Sequence, residues 1–284
     1  MALTCSLCVL FVERRQEALG RDGGREEGLK MSCESTWEFP AENDGWYGAH
    51  NSIRAELMKL ELALTTIMER DGNSLDDWRL ECVKEYIAGH KEHVNGHHAN
   101  EEEKFLPWLS TKFTVEDHVH SEHENLLEKV KAIEAVVDAL KVGDGVDELL
   151  ALWKDYRELM EPHLTEEEQE IVPLMRKHFT RKEAGEKIAS ILKEASKTEL
   201  GSFFHHLKNK KTTLEFMAQE EIPWFVWHLE FKGMRTHYRK RMESKIQQLL
   251  QGEKATKSLV SKADLGLAIN AGNFAWEVPR KPVK

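Results

Sequence analysis

Apolar residues recur at helical spacing in four successive segments of this chain. Within residues 50–67, 80–101, 120–140 and 149–174, the side chains that would form one stripe follow each other at steps of three or four. That spacing returns a side chain to the same face of an α-helix, so each segment is predicted to be an amphipathic helix. The connections between the segments are short, which favours antiparallel neighbours. The sequence therefore predicts an all-α protein built on an up-down-up-down four-helix bundle.

Turn and capping residues mark where these helices begin and end. Glycine occurs in the connections at residues 71–73 and 143–145. The predicted N-terminal signals are Ser74, Thr114 with Asp117, and Thr180 with Glu183, the last two being capping boxes. The capping box of Thr180 and Glu183 marks the start of further helix-forming sequence after the four segments.

The composition divides the chain into four parts. Residues 1–36 are predicted to be an unstructured tail, and residues 37–179 contain the bundle. Residues 180–253 predict a C-terminal helical extension that packs on the bundle, and residues 254–284 a loosely ordered tail. The first residues lack the basic start and the small-residue cleavage site of a signal peptide, so we expect a cytoplasmic or nuclear protein.

Charge and composition exclude several classes of partner. The formal charge of −10, from 40 Lys and Arg against 50 Asp and Glu, argues against nucleic acid. No apolar run approaches the roughly 20 residues that a membrane helix needs, so we expect no membrane partner. Four cysteines are too few for a disulfide framework in 284 residues, which favours a reducing, intracellular compartment. The sequence motifs of phosphate-binding and dinucleotide-binding loops are absent.

Histidine is the unusual component, since 10 of the 14 histidines lie between His50 and His178. Seven His and Glu side chains occupy positions on the four apolar stripes. They are His50, His97, Glu101, His120, His123, His163 and Glu167. A buried imidazole or carboxylate is costly unless it is paired, hydrogen-bonded or bound to a metal, and seven are difficult to satisfy by mutual hydrogen bonding. We therefore predict that these seven residues bind metal.

The predicted hairpins bring these positions to one level of the bundle. His50 precedes the first turn, near Asp71, by almost the same length of chain as separates His97 from the start of the next helix near Leu75. His123 and His163 are likewise placed at similar distances on either side of the second turn. At about 1.5 Å of rise per residue, the mismatch in height is at most about 3 Å.

The segments HHANEEEKFLPWL and HLTEEEQEIVPLM align without a gap. The alignment places His97 on His163, Glu101 on Glu167 and Pro107 on Pro173. Gly96 and Pro162 also align, each directly before a histidine, and predict a local bend or bulge that re-aims the imidazole. Two related hairpins of this kind predict a pseudo-symmetric site.

The donor set indicates two metal ions rather than one. Five imidazoles and two carboxylates exceed what a single tetrahedral zinc takes. Because carboxylates can bridge, and because imidazole and carboxylate with an open position suit iron, we predict two iron ions, with manganese or zinc as alternatives. Ferritin-like sites use two Glu-x-x-His motifs, and no histidine of this chain follows a glutamate by three residues.

These motifs resemble those of the hemerythrin-like, or HHE cation-binding, domains. The resemblance rests on the early histidine, the two His-x-x-x-Glu segments that end in proline, and the histidine pair of the third helix, and it covers about residues 44–178. It implies a non-haem di-iron centre that binds dioxygen, with bridging carboxylates. The ligands it implies are His50, His97, Glu101, His163 and Glu167. The sequence after His178 resembles the extension of plant-type members.

The third helix departs from the family's oxygen carriers, which have two histidines four residues apart. Val119 stands four residues before His123, so the candidate pairs are His120 with His123 or His118 with His123. This departure favours iron or oxygen sensing, storage or regulation over oxygen transport. The alternatives are a di-iron enzyme that activates oxygen, peroxide or nitric oxide, and a helical interaction module that binds a protein through its extension.

Histidines beside the stripes carry separate predictions. We expect His98 to lie outside the ligand set or at the surface, and His90 to be structural. His93 is a further candidate metal ligand, a spare to the seven residues on the stripes. His205 and His206 lack an acidic residue at helical spacing before them, which argues against a metal site there.

Overall fold

The computed structural model describes residues 37–254 apart from residue 208, and every regular element in that range is helical. The predictions for residues 1–36 and 255–284 lie outside the described residues. After a 3₁₀ turn at Ala41–Asn43, helix α1 spans Gly45–Arg70 and α2 spans Asp77–Asn100. Helix α2 continues through a π-helical turn at Glu101–Phe105 into the short helix α3 at Leu106–Leu109.

The second pair of long helices has the same form. Helix α4 spans Asp117–Ala139, and α5 spans Asp147–Glu166. A π-helical turn at Glu167–Ile171 connects α5 to α6 at Val172–His178. The remaining elements are α7 (Arg181–Leu192), α8 (Lys197–His206), α9 (Lys210–Gln219), a π-turn (Trp227–Phe231), α10 (Lys232–Tyr238), a π-turn (Arg239–Glu243) and α11 (Ser244–Gln251). None of the helices among the described residues is both long enough and apolar enough to cross a membrane.

The four long helices contact each other in pairs. Helix α1 packs on α2 and α5, and α4 packs on the same two helices. The two connecting turns lie together, because Leu75 N donates to Asp144 O at 3.0 Å and Gly143 N donates to Leu75 O at 2.7 Å. The ends of α1 and α4 and the beginnings of α2 and α5 therefore lie at the same end of the molecule.

The predicted helix starts have different outcomes. The capping box of Thr180 and Glu183 is confirmed, since Thr180 Oγ1 accepts from Glu183 N at 3.3 Å and Glu183 Oε2 accepts from Thr180 N at 2.8 Å. The prediction for Ser74 is wrong, because the side chain of Asp76 caps α2. The prediction for Thr114 is also wrong, because Glu116 occupies the N-cap position of α4.

The C-terminal helices share the main hydrophobic core with the four long helices. Tyr238, Met242, Ile246 and Leu249 are fully buried in the same cluster as the apolar residues of α1, α2, α4 and α5. Gly89 of α2 permits this approach, because a Cβ atom there would lie 2.6 Å from Met242 Sδ. The burial of an aliphatic side chain such as Met242, Ile246 or Leu249 contributes about 1.5–3 kcal/mol to stability. Because the C-terminal helices pack here as well as α1 and α4, helix α2 is covered on more than one side.

Candidate metal centre

The two segments of the internal repeat have the same local structure. Each passes from α-helix into a π-helical turn, and the first residue of that turn is Glu101 in one segment and Glu167 in the other. Leu106 N donates to Glu101 O, and Val172 N donates to Glu167 O, so each bond spans five residues instead of four. The proline that follows each turn has no N–H and crowds the carbonyl four residues earlier, which a wider turn relieves.

The bend predicted at Gly96 and Pro162 is displaced along the chain. Both residues lie inside regular α-helix, and each wide turn begins five residues later. The wide turn therefore re-aims the glutamate that follows the histidine, rather than the histidine itself. Single π-turns inside α-helices are frequent at functional sites.

Six of the seven residues predicted from the stripes meet in one buried group, together with His98. None of the seven members of this group is more than 8% exposed. We call the group the His/Glu cluster, and its members are His50, His97, His98, Glu101, His123, His163 and Glu167. They come from α1, α2, α4, α5 and the two π-turns that follow α2 and α5.

His120 does not lie in the His/Glu cluster, which corrects the prediction. Its side chain is 48% exposed, and its Nδ1 lies 2.6 Å from Glu102 Oε2. His118 is also partly exposed and is bonded to Glu166, so neither candidate pairs with His123 in the cluster. The register of α4 is the reason. Its buried stripe has regular steps of four and three through Val119, His123, Leu126, Val130, Ile133 and Val137.

His98 takes a place in the cluster that the sequence did not predict. Its ring stacks on His123 with centroids 4.5 Å apart and lies 5.5 Å from the ring of His163. Successive residues of a helix point about 100° apart, so His97 faces His50 while His98 faces the other two histidines. No signal in the sequence of α2 distinguishes His98, because its burial depends on the helices that cover α2 on several sides.

Glu101 directs its two oxygens toward different histidines. Its Oε1 lies 3.0 Å from His97 Nε2 and 4.0 Å from His50 Nε2. Its Oε2 lies 3.6 Å from His123 Nε2.

Glu167 is arranged in the same way from the opposite segment. Its Oε2 lies 3.3 Å from His50 Nε2, and its Oε1 lies 3.5 Å from His123 Nε2 and 3.8 Å from His163 Nε2. Each carboxylate therefore presents one oxygen to the histidines on each side of the cluster. This is the arrangement that two cations bridged by carboxylates require.

The donor atoms of the cluster are buried and several lie within ion-pair distance of one another, but none of them makes a hydrogen bond of good geometry. They are Nε2 of His50, His97, His98, His123 and His163, and both carboxylate oxygens of Glu101 and Glu167. Leaving a buried polar atom unpaired costs about 1–3 kcal/mol, so this many in one place point to a ligand. Metal–donor bonds of about 2.0–2.2 Å set neighbouring donors about 3 Å apart, which is close to the shorter separations here.

Carboxylates outside the cluster bond the opposite nitrogens of three histidines. His50 Nδ1 lies 3.0 Å from Glu168 Oε1, His123 Nδ1 lies 2.5 Å from Glu102 Oε1, and His163 Nδ1 lies 2.9 Å from Glu122 Oε2. A carboxylate at Nδ1 accepts a hydrogen bond from a neutral imidazole and so keeps the imidazole proton on that nitrogen. It leaves the Nε2 lone pair directed at the cluster, as in many metal sites.

Arg54 holds one of these carboxylates in place. Its guanidinium donates to Glu168 Oε1 at 2.6 Å and to Glu168 Oε2 at 3.1 Å. Burial raises the pKa of Glu168, but its bonds to His50 and Arg54 outweigh burial and lower that pKa. Glu168 therefore remains ionised where it orients His50.

The metal-free chain balances the buried carboxylates with protons on imidazole. Burial lowers the pKa of His50, but Glu101, Glu167 and Glu168 outweigh it and raise that pKa to about 10. In the same way the pKa of His123 is raised to about 9. The pKa values of Glu101 and Glu167 are lowered despite burial, because the histidines favour their ionised forms. A cation that binds here replaces these protons.

His90 and His93 belong to a separate buried network around Glu56. Glu56 Oε2 lies 2.7 Å from His90 Nδ1, and Glu56 Oε1 lies 3.0 Å from His93 Nδ1. Ser202 Oγ of α8 donates to Glu56 Oε1 at 2.6 Å. The spare ligand predicted at His93 is thus a paired core residue, and His90 is structural.

Comparison of the chain with models of protein families, with curated proteins and with solved structures found no match in any of the three. The functional argument therefore rests on the site itself.

Proposed function

We propose that this chain is a non-haem di-iron protein of the hemerythrin-like type, whose four long helices form an up-down-up-down bundle around the His/Glu cluster. One observation carries the proposal. The histidines form two groups, His50 with His97, and His98 with His123 and His163. Glu101 and Glu167 each direct one oxygen at each group, and all these donor atoms are buried without a hydrogen bond of good geometry. Two cations that share two carboxylates account for all of them.

The two halves of the cluster would hold the ions differently. His50 and His97 would bind one ion with Glu101 Oε1 and Glu167 Oε2. The three remaining histidines would bind the other with the opposite oxygens. The first ion would then have one protein donor fewer and more room for an added ligand.

The chemistry of the donors favours iron. They are imidazoles and carboxylates without thiolate, and Cys82, the free cysteine among the described residues, lies in the hydrophobic core. Such a set suits iron, with manganese or zinc as substitutes. A bound pair of irons supplies reversible one-electron chemistry and a binding position for dioxygen or a similar small molecule.

The protein's own residues orient and shield the ions. The outer carboxylates fix the histidine rings, and the burial of the cluster limits access to small ligands. His50 and His123 release protons when an ion binds. These properties support a role in sensing, storing or regulating iron or oxygen.

Elemental analysis and the optical spectrum of aerobically purified protein test the proposal. We expect two iron equivalents per chain that are lost in the Glu101→Ala/Glu167→Ala variant. The matched control is Glu103→Ala/Glu170→Ala, which removes two exposed glutamates from the same π-turns and should keep the iron. Equal iron content in both variants would contradict the proposal.

A further inference from the structure

A second group of metal-binding side chains lies in the C-terminal helices. His205 and His206 end α8, and Glu243 ends the π-turn before α11. One donor atom from each of the three residues lies within 4.8 Å of the others. The sequence argued against a metal at this histidine pair because no acidic residue precedes it at helical spacing. The fold supplies that acidic residue from a later element.

Lys59 of α1 places a positive charge at this group. Its Nζ donates to Glu243 Oε2 at 2.6 Å and lies 3.2 Å from His206 Nε2. His205 Nε2 lies 3.2 Å from the same Glu243 oxygen. The ammonium group therefore contacts two of the three donors, where a bound cation would be. Because the Lys59 side chain is long and 24% exposed, it can turn to solvent without any change in α1.

The hydrogen bond of His206 leaves one of its nitrogens available to a metal. His206 Nδ1 donates to Ser202 O at 2.9 Å, which leaves its Nε2 lone pair directed at the group. The side chains of His205 and Glu243 are 16% and 14% exposed, so an ion from solvent can reach them.

We propose that His205, His206 and Glu243 form an accessory site for one divalent cation of the zinc class, which displaces the Lys59 ammonium. Two imidazoles and one carboxylate, with a water in the fourth position, are a donor set that zinc accepts. The ion would connect the end of α8 to the turn before α11. This site shares no residue with the His/Glu cluster and does not depend on the proposed di-iron centre.

Equilibrium dialysis of the full chain against Zn²⁺, with the metal counted by atomic emission, tests the accessory site. In the Glu101→Ala/Glu167→Ala background, three histidines of the His/Glu cluster can still bind zinc, so the accessory site is read from the difference between variants. We expect His206→Ala to bind one zinc equivalent fewer per chain than its parent. Lys59→Met should bind zinc at least tenfold more tightly, because the ammonium no longer competes. His237→Ala, which changes an exposed histidine of the neighbouring α10, is the matched control and should bind like its parent.

A second variant separates loss of the site from loss of the fold. Lys59→Met/Glu243→Gln removes both members of the ion pair, so neither is left with an unpaired charge. It should lose the zinc that Lys59→Met binds. If His206→Ala keeps the zinc equivalent, or if Lys59→Met gains no affinity, the accessory site is wrong. The same comparison can be made in the wild-type background. If only the changes at Glu101 and Glu167 remove metal there, the result supports the di-iron centre and overturns the accessory site.

Discussion

Glu101 and Glu167, from the two halves of the internal repeat, begin two matching π-helical turns, and His123 Nε2 lies between their carboxylates, 3.6 Å from one and 3.5 Å from the other. Both carboxylates therefore contact both histidine groups, His50 with His97 and His98 with His123 and His163. A change at either glutamate should affect both proposed ions, whereas a change at one histidine should affect mainly one.

Metal binding should stabilise the fold, because four helices contribute donors that the unfolded chain does not hold together. At a free ion concentration of 100 times Kd, we expect the free energy of unfolding to rise by about 2.7 kcal/mol. Thermal melts with and without chelator measure this. With iron as the only added metal, the melts of the Glu101→Ala/Glu167→Ala variant should coincide, because no zinc is present to fill the accessory site. If the wild-type melts also coincide, binding and folding are not linked.

His98 and His120 provide a matched pair of histidine substitutions. His98 is buried in the His/Glu cluster, whereas His120 is exposed and bonded to Glu102. We expect His98→Ala to weaken one of the two metal equivalents and His120→Ala to retain both, as measured by competition with a coloured chelator. The reverse result would return His120 to the ligand set and exclude His98.

Glu168 should affect metal affinity without contacting the metal, because it orients His50 and is itself held by Arg54. We expect Glu168→Gln to lower the affinity about 10- to 100-fold, in line with other carboxylates that orient metal-binding histidines. Glu170→Gln, an exposed change two residues away, is the control and should bind normally. Unchanged affinity in Glu168→Gln would show that Glu168 does not tune His50.

The pair of Glu56 and His93 should make stability depend on pH. Burial raises the pKa of Glu56, but its histidine partners lower it below 4.5 overall; burial lowers the pKa of His93, but Glu56 raises it above 6.5 overall. The contribution of Glu56 is complete above pH 4.5 and is lost as the pH falls through its lowered pKa. The contribution of His93 is complete below pH 6.5 and is lost as the pH rises through its raised pKa.

The stabilisation by the Glu56–His93 pair is therefore greatest between pH 4.5 and pH 6.5. We expect Glu56→Gln to cost about 3–5 kcal/mol at pH 6, as for other broken buried ion pairs. Urea unfolding of the variant and the wild type over a series of pH values upward from pH 6 should give a difference that shrinks as the pH rises through the raised pKa of His93. A difference that does not change with pH would show that the pair is not ionised in the folded chain.

Local spacing was sufficient to predict the helices and most of the cluster. The stripes through His50, His97 and His163 follow regular helical steps, and each of these side chains is buried. The predicted stripe of the third helix, which runs through both His120 and His123, contains two consecutive steps of three and therefore drifts around the helix. The regular stripe through Val119 is the one that α4 buries.

The remaining features depend on contacts between distant parts of the chain. His98 is buried because α2 has neighbours on more than one side, and the pattern of α2 alone gives no measure of that coverage. Ser202 reaches Glu56, and Glu243 reaches His205, across elements whose packing the sequence does not specify. The bend or bulge predicted at Gly96 and Pro162 lies five residues before the π-turns, whose position fits the prolines that follow the glutamates.

X-ray absorption spectroscopy of the iron-loaded full chain tests most directly whether Glu101 and Glu167 bridge two ions. We predict a second iron about 3.5–4 Å from the first in the wild type, the usual spacing of two-metal sites. This iron–iron signal should be absent in the Glu101→Ala/Glu167→Ala variant. A wild-type spectrum of isolated iron with only nitrogen and oxygen neighbours would contradict the two-ion centre.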